Sequence, residues 1–490
     1  MAELDWGGVL GALVEAGYWS ATTGLALFGL YYLVIVTLRA TMRPRRPAPS
    51  DGRRHAVTVQ IPVRNERHVV ERVLDAVGNL DWPSERLEVQ VLDDSTDITG
   101  DLADDGVRRL RLRGIRSDVL RREAPDGFKA GALNMGLARA TGDVVAIFDA
   151  DFVPPPDFLN RIMPMLEAEE VACVQTRWSY LNEASSWLTR SLAIALDAHF
   201  LIEQEVRSHY GLLLSFNATA CVWKRTSLAG LGGWPTETVT EDLDLSIRAL
   251  TTGRRIRYVD TPAVPCEVPT EVLGFANQQA RWARGGAQNL RLHASTLVRA
   301  RMGDWDRVDT AFHLAHYGFQ VLVVLLFLST VGAIVLGRAL DPAYAMAFAV
   351  VATLGPFLLL VDGQRRSHPK TFVWRMWRLL PLTMVGVGIS LRVAGAFLSG
   401  LVSRRFTFDR TPKYGIVGRD SNWRASAYVP RADVFTAFEG LCALLALTAA
   451  ALGFVQERFG LAASLAAFGV SYAWVFLHSV FERRGRGDRI

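Results

Sequence analysis

Two carboxylates flanking one small residue, Asp149-Ala150-Asp151, follow directly on the apolar run Val144–Phe148. Such a pair just past a strand can hold a divalent cation against a diphosphate, and the metal then offsets charge building on the leaving group. The same triplet also arises as an ordinary turn, so it gains meaning only from what accompanies it. Further along, Thr240-Glu241-Asp242 opens the helical stretch Leu243–Leu250. An acidic first turn behind an N-cap needs no function. A carboxylate there is nevertheless expected to stay ionised, and it can take a proton from an attacking hydroxyl. Glu241 and Asp244 are the local competitors of Asp242 for that role. The third group is Gln278-Gln279-Ala280-Arg281-Trp282. Arg pairs with phosphate oxygens, Trp stacks on a pyranose face and Gln adds hydrogen bonds, whereas a bare Arg-Trp pair near a membrane is usually an anchor. There is no P-loop lysine motif, no G-x-G-x-x-G and no convincing Ser–His or Cys–His arrangement, so ordinary kinase, ATPase and dinucleotide readings lack support.

The elements that must position these groups alternate between strand and helix. Val57–Val63 reads as a buried strand ending in Arg64-Asn65-Glu66, followed by a helix over His68–Leu80. Leu87–Leu92 is a second strand, ending in Asp93-Asp94-Ser95, and Leu110–Leu112 is a candidate short one. Lys129–Ala140 has helical periodicity and Val144–Phe148 is a strand. This alternation predicts a doubly wound, mostly parallel sheet, whose ligands bind past the carboxyl ends of the strands.

Half of the 490 residues are hydrophobic, and the charges gather between Asp51 and Arg301 while the flanks are apolar. Tyr18–Leu38, Phe319–Leu336, Ala343–Val361, Val434–Val455 and Leu461–Val480 are each long enough to cross a bilayer. A sixth stretch, Leu379–Val402, is rich in glycine, carries Arg392 near its middle and is bracketed by Trp374, Arg375, Trp377, Arg378, Arg404 and Arg405. If it lies flat or re-enters, four basic regions share one side: that after the first span (Arg39, Arg43, Arg45, Arg46), Arg365–Lys370, Arg404–Arg431 and Arg483–Arg489. The expectation is therefore five spans, an outside N-terminus, an inside C-terminus and an interfacial segment or hairpin. Arg281–Val308 is expected to be an amphipathic helix at the membrane surface. The net charge of +5 is modest, and most Arg clusters lie beside apolar runs, which speaks for membrane lipids rather than nucleic acid as the basic residues' partner. The four cysteines show no metal or disulfide spacing, and the acidic opening residues do not resemble a cleavable signal peptide.

Taken in order, Val91–Asp97, Phe148–Asp151, Thr240–Asp242 and Gln278-x-x-Arg281-Trp282 resemble the D, D-x-D, (T/V)ED and Q-x-x-R-W series of processive family 2 glycosyltransferases, the group of cellulose, hyaluronan and mannan synthases. Phe408-Asp409-Arg410-Thr411-Pro412-Lys413 is similar to the F-x-V-T-x-K gating loop of cellulose synthases, with Arg410 where valine is usual. Gln60–Val63, Val91–Asp97, Lys129–Leu133 and Phe216–Ala220 look most like plant cellulose-synthase-like A and C proteins, which make β-1,4-mannan, glucomannan or the glucan backbone of xyloglucan. The resemblance covers about residues 55–430.

The resemblance implies an α/β GT-A catalytic domain inserted in an α-helical transmembrane region, inversion at the anomeric carbon and Mg²⁺ or Mn²⁺ as cofactor. Asp149 and Asp151 would hold the metal, and Asp242 would be the catalytic base. Asn65, Glu66, Asp94, Lys129, Asp149, Gln278, Arg281, Thr411 and Lys413 would contact the donor. Thr240, Glu241, Trp282 and Phe216 would contact the acceptor. The donor stays open between GDP-mannose and UDP-glucose; the partners are a growing polysaccharide, membrane lipids and, compatibly, accessory export subunits. The expected arrangement is a first span and basic flank (1–50), the catalytic domain (51–270), interfacial helices (271–316), two spans (317–362), a cytosolic interfacial segment with the gating loop (363–433), and two spans with a basic tail (434–490), in the plasma (inner) membrane with the catalytic domain cytosolic. With so short a tail, no PilZ-type sensor is expected. Two rival readings are sugar transfer to a lipid, as in ceramide glucosyltransferases, and a silent membrane scaffold, which the full set of acidic motifs disfavours.

Overall fold

The computed structural model describes residues 6–43, 52, 54–403, 410–419, 426 and 428–482. Arg45, Arg46, Arg404, Arg405, Phe408, Asp409 and the tail Arg483–Arg489 lie outside the described residues. Seven strands form one sheet in the order β3-β2-β1-β4-β6-β5-β7. They are β1 (Val57–Val63), β2 (Leu87–Asp93), β3 (Arg116–Arg121), β4 (Val144–Ile147), β5 (Val171–Tyr180), β6 (Cys221–Lys224) and β7 (Arg255–Cys266). β1 pairs in parallel with both β2 and β4, and β2 with β3. β6 runs antiparallel between β4 and β5, and β7 is parallel to β5, so the sheet is mixed but mostly parallel. The chain leaves β1 toward β2 on one side and later returns to add β4 on the other. That switch of direction opens a crevice at the carboxyl ends of β1 and β4, the usual ligand position in such sheets.

β1, β2 and β4 are legible as apolar runs because both faces are covered; all four residues of β4 and all seven of β2 are buried. The expected strand at Leu110–Leu112 is instead the last turn of the helix Thr99–Leu112. That helix ends before Gly114, whose φ of 77° is a left-handed turn, and the strand follows as β3. β3 sits at the sheet edge with half of its residues facing water, so its sequence Arg-Ser-Asp-Val-Leu-Arg carries no apolar signal.

Five helices are long and apolar enough to cross a membrane: Gly7–Thr41, His316–Val335, Pro342–Ser367, Val434–Val455 and Phe459–Phe481. The sixth apolar stretch forms two helical segments, Phe372–Gly388 and Ser390–Val402, bent by 50° at the break. The surface helix expected at Arg281–Val308 is two helices, Val272–Arg299 and Asp304–Leu314. The first starts well before the Arg-Trp motif, and the break falls at Ala300–Gly303, where the Gly303 N–H is taken up by the Asp306 carboxylate.

Two ion networks lock the sheet domain to the apolar helices. Arg207, wholly buried, donates to Glu203 at 3.1 Å, to Asp309 at 3.0 Å and to Tyr31 of the first span. Tyr31 in turn donates to Asp309 at 2.8 Å. Arg392, the cation inside the sixth stretch, makes a two-pronged contact with Asp433 at 2.6 and 2.8 Å and donates to Asn277 at 3.0 Å. Its Nε lies 3.5 Å from the buried Glu439 carboxylate. Arg392 thereby ties the helix carrying Gln278 to the cap of Val434–Val455. Arg392→Ala leaves two carboxylates without their cation. It is expected to destabilise the fold toward the lower end of the roughly 3–5 kcal/mol that breaking buried pairs costs, because Asp433 keeps some solvent. A thermal-unfolding midpoint in detergent that equals wild type would contradict this role.

Candidate functional site

Chain segments leaving β1, β2 and β4 converge on a cavity of about 550 Å³. Of the site residues singled out in the sequence, Glu66, Asp94, Lys129, Asp149, Asp151, Phe216, Thr240, Glu241, Asp242, Gln278, Arg281, Trp282, Thr411 and Lys413 line it. Asn65 stands behind the wall. Its backbone is left-handed (φ 54°), its N–H bonds Ser95 Oγ at 2.9 Å, and its Oδ1 accepts the Thr96 N–H at 2.7 Å. It thus stitches the ends of β1 and β2 together. Phe216 lines the cavity from a buried position beside Trp223 and Trp234, ring centroids 5.3 and 6.2 Å away.

Each carboxylate of the Asp149/Asp151 pair already holds an ammonium group. Lys129 Nζ donates to Asp149 Oδ1 at 2.7 Å and to the Ala218 carbonyl at 3.1 Å. Lys413 Nζ donates to Asp151 Oδ2 at 2.8 Å and to the Glu267 carbonyl at 2.9 Å. The loop supplying that Ala218 carbonyl holds Ala218 and Ala220 at φ 49° and 50°, a conformation costly for residues with a Cβ and typical of sites where backbone placement matters. Burial opposes the charge on both lysines, but the neighbouring carboxylates outweigh it and raise both above the ordinary lysine value. Glu66 shows the reverse balance. Burial, aided by Asp149 and Asp151 and resisted by Arg410, pushes it up to about 7.

The helix Glu241–Thr251 presents the second group. Thr240 does not cap it through its side chain. The Thr240 hydroxyl instead accepts a hydrogen bond from Asn289 Nδ2 at 3.0 Å. Asp242 Oδ1 accepts the Leu243 N–H at 2.8 Å. The helix-terminus argument expects Asp242 to stay ionised, yet burial and the adjacent Glu241 push its carboxyl up to about 7, against the pull of Leu243 N–H, Lys129 and Arg281. Desolvation wins over the dipole because the group sits on a cavity wall away from bulk water. Asp244, one of its two competitors, is fully buried against Arg248 at 2.6 Å and His293 at 3.1 Å and does not line the cavity.

Gln278, Arg281 and Trp282 lie at i, i+3 and i+4 on one face of Val272–Arg299. Sequence reasoning missed what brings that face to Asp242. A Cβ on Gly285 would lie 2.2 Å from Thr240 Oγ1, so only glycine lets the helix approach this closely. One turn on, Gln288 Oε1 accepts the Val239 N–H at 3.0 Å and Asn289 holds Thr240. The adjacent Gly285-Gly286 inside a helical pattern was the available signal, since glycine there costs stability and usually marks close packing. The cavity also reaches the spans: Tyr32, Leu359 and Leu360 line it.

Among the described residues no cluster of three or more His, Cys, Asp or Glu side chains forms a ready metal cage. Asp149 and Asp151 nevertheless offer hard oxygen atoms on the wall. Two carboxylates are what Mg²⁺ or Mn²⁺ takes from a protein when phosphate oxygens and water complete its shell. Acidic residues on the wall also outnumber Lys and Arg.

Residues 58–226 match the family model described as Glycosyl transferase family 2, and residues 144–361 match Glycosyl transferase family group 2. Residues 58–361 thus carry a glycosyltransferase family 2 domain. It is 37% identical over 284 residues to glucomannan 4-beta-mannosyltransferase 1 of Oryza sativa subsp. japonica, covering 55% of this chain and 54% of that protein. It is 34% identical over 356 residues to glucomannan 4-beta-mannosyltransferase 7 of Arabidopsis thaliana, covering 71% of this chain and 63% of that one. The chain therefore spans about half to two thirds of the length of these relatives. Among solved structures, the mannosyltransferase PcManGT from Pyrobaculum calidifontis in complex with GDP-Man and Mn²⁺ superposes with a TM-score of 0.52 at 21% identity. The match covers 80% of this chain and 99% of that one. This likeness shows the GT-A fold of the sheet domain in a chain that also carries membrane-length apolar helices.

Proposed function

We propose that this family 2 glycosyltransferase elongates a neutral β-1,4-mannan or glucomannan processively from GDP-mannose, with inversion, and passes the product through its own membrane helices. One observation carries the reading. Asp149, Asp151, Asp242 and Trp282 share a single cavity with Tyr32 of the first span and Leu359 and Leu360 of another. A donor held at the acidic end then meets an acceptor that has a route toward the membrane. The naming of the relatives favours mannose over the UDP-glucose alternative.

In this reading Lys129 and Lys413 move from their carboxylates toward the diphosphate, joined by Arg281 and by the Thr411 hydroxyl, which is buried and lacks a hydrogen-bond partner among the described residues. Asp149 and Asp151 would hold Mg²⁺ or Mn²⁺, which supplies neutralisation of charge on the leaving diphosphate. Trp282 floors the acceptor sugar, with Gln278 beside it. The acceptor hydroxyl oxygen attacks the anomeric carbon, Asp242 takes its proton, and the bond electrons leave with the nucleoside diphosphate. The basic residues around Arg39 and Arg365–Lys370 favour a cytosolic catalytic domain in the plasma (inner) membrane.

A base with a pKa near 7 loses function on acidification: below about pH 7 its ionised fraction falls about tenfold per unit, and initial rates in nanodiscs should fall with it. Asp242→Asn should lower transfer about 10²–10⁴-fold on the alkaline side of that limb while donor binding persists. Rates that stay flat well below pH about 6 would assign proton transfer elsewhere. The reading as a whole is tested by incubating nanodisc-embedded protein with labelled GDP-mannose or UDP-glucose and determining product linkage. Label in a β-1,4-linked polymer is the expected result. Label confined to a lipid extract would replace polymer synthesis with lipid glycosylation.

A further inference from the structure

Gln279 takes no part in the reaction described above, yet its side chain lines the same cavity. Trp282 is three positions further on, so the two stand on one side of Val272–Arg299, about 4.5 Å apart along its axis. Tyr317 Oη donates to Gln279 Oε1 at 2.9 Å. Tyr317 is the second residue of the span His316–Val335, so this contact ties the helix bearing Trp282 to a membrane helix. Beside it, His316 Nδ1 lies 3.2 Å from Tyr32 Oη of the first span. Gln279, Tyr317, His316 and Tyr32 all line the cavity, and together they form wall on its membrane side. The Tyr317 ring is itself held in place, packed against the apolar cluster that contains Val393 and Phe397.

A free glutamine can turn either its carbonyl or its NH₂ toward a ligand. Here the carbonyl is taken by Tyr317, which leaves the NH₂ as the end presented elsewhere. Gln279 Nε2 makes no hydrogen bond among the described residues. The Tyr317 hydroxyl, having given its proton, has only lone pairs left to offer. The pair therefore presents donors from Gln279 and an acceptor from Tyr317. A sugar hydroxyl, which both gives and takes hydrogen bonds, satisfies both. A glycan whose end sugar stacks on Trp282 and which runs toward the spans carries its next sugar past Gln279. We propose that Gln279 binds a hydroxyl of the second sugar of the acceptor, and that Tyr317 is the positioning residue that holds the amide for it. The proposal rests on the glycan-elongation reading of the cavity.

The test is transfer from GDP-mannose, with Mn²⁺, by the full chain in nanodiscs to mannose and to β-1,4-mannobiose. Wild type, Tyr317→Phe, Gln279→Met and the double variant are compared by kcat and KM for each acceptor. Mannobiose fills the second position and mannose leaves it empty, so wild type should favour mannobiose about tenfold in kcat/KM. Gln279→Met should move that ratio toward one. Tyr317→Phe keeps the ring but frees the amide, and should lower the ratio through the KM for mannobiose rather than through kcat. In the double variant the tyrosine change should add nothing further, because the group it positions is gone. A merely structural tyrosine would add its loss in full to that of Gln279→Met, which overturns the proposal. Equal use of mannose and mannobiose by wild type overturns it while leaving glycan elongation intact, and this arm decides even if a variant does not fold. Failure of wild type to form any labelled glycan would remove the elongation reading itself.

Discussion

Too many carboxylates share one cavity. Glu66, Asp94, Asp149, Asp151, Glu203, Glu241, Asp242 and Glu267 line a space that holds fewer Lys and Arg, though Arg122, Arg207 and Arg72 reach Asp94, Glu203 and Glu267 from outside it. In such surroundings charge repulsion is not screened as it is at a surface. The structure answers in two ways. Lys129 and Lys413 are drawn onto Asp149 and Asp151, and Glu66 and Asp242 give up part of their acidity. Both responses suit a site whose ligand brings phosphate and a metal cation together, because the incoming charges can redistribute ions already in place rather than create new ones.

The surrounding architecture serves to hold that crowded set still. The strand ends deliver acids from β1, β2 and β4, and the long helix Val272–Arg299 closes over them through Gly285, Gln288 and Asn289. This helix is held from the other side by Arg392 through Asn277, next to Gln278. The first span is held through Tyr31 and the buried Arg207. Apolar helices and catalytic domain are thus joined by specific polar contacts.

Legibility followed burial. β1, β2 and β4 stood out because two covered faces demand continuous apolar residues, and the acids beyond them were visible as the polar ends of those runs. β3 was not, since an edge strand needs no such run. The Gln278–Trp282 motif is legible, but the start of its helix at Val272 is not, because residues 272–280 mix apolar and amide side chains without a clear start signal. The environment of Asp242 is legible only in part: a helix N-terminus is evident in sequence, whereas the desolvation that opposes its ionisation comes from residues far away in the chain. Gly285, Gln288 and Asn289 act through Thr240 and Val239, a pairing across some fifty positions that no local pattern contains.

The proposed function requires that the acidic cavity take up its nucleotide together with a cation. The most direct measurement is calorimetric titration of GDP into the nanodisc-embedded chain with Mn²⁺ and again with the metal chelated. The account predicts saturable binding with Mn²⁺ and loss of most of the affinity, about tenfold or more, without it. Equal affinity in the two titrations would contradict it, because the lysines would then suffice to hold the diphosphate against the carboxylates around them.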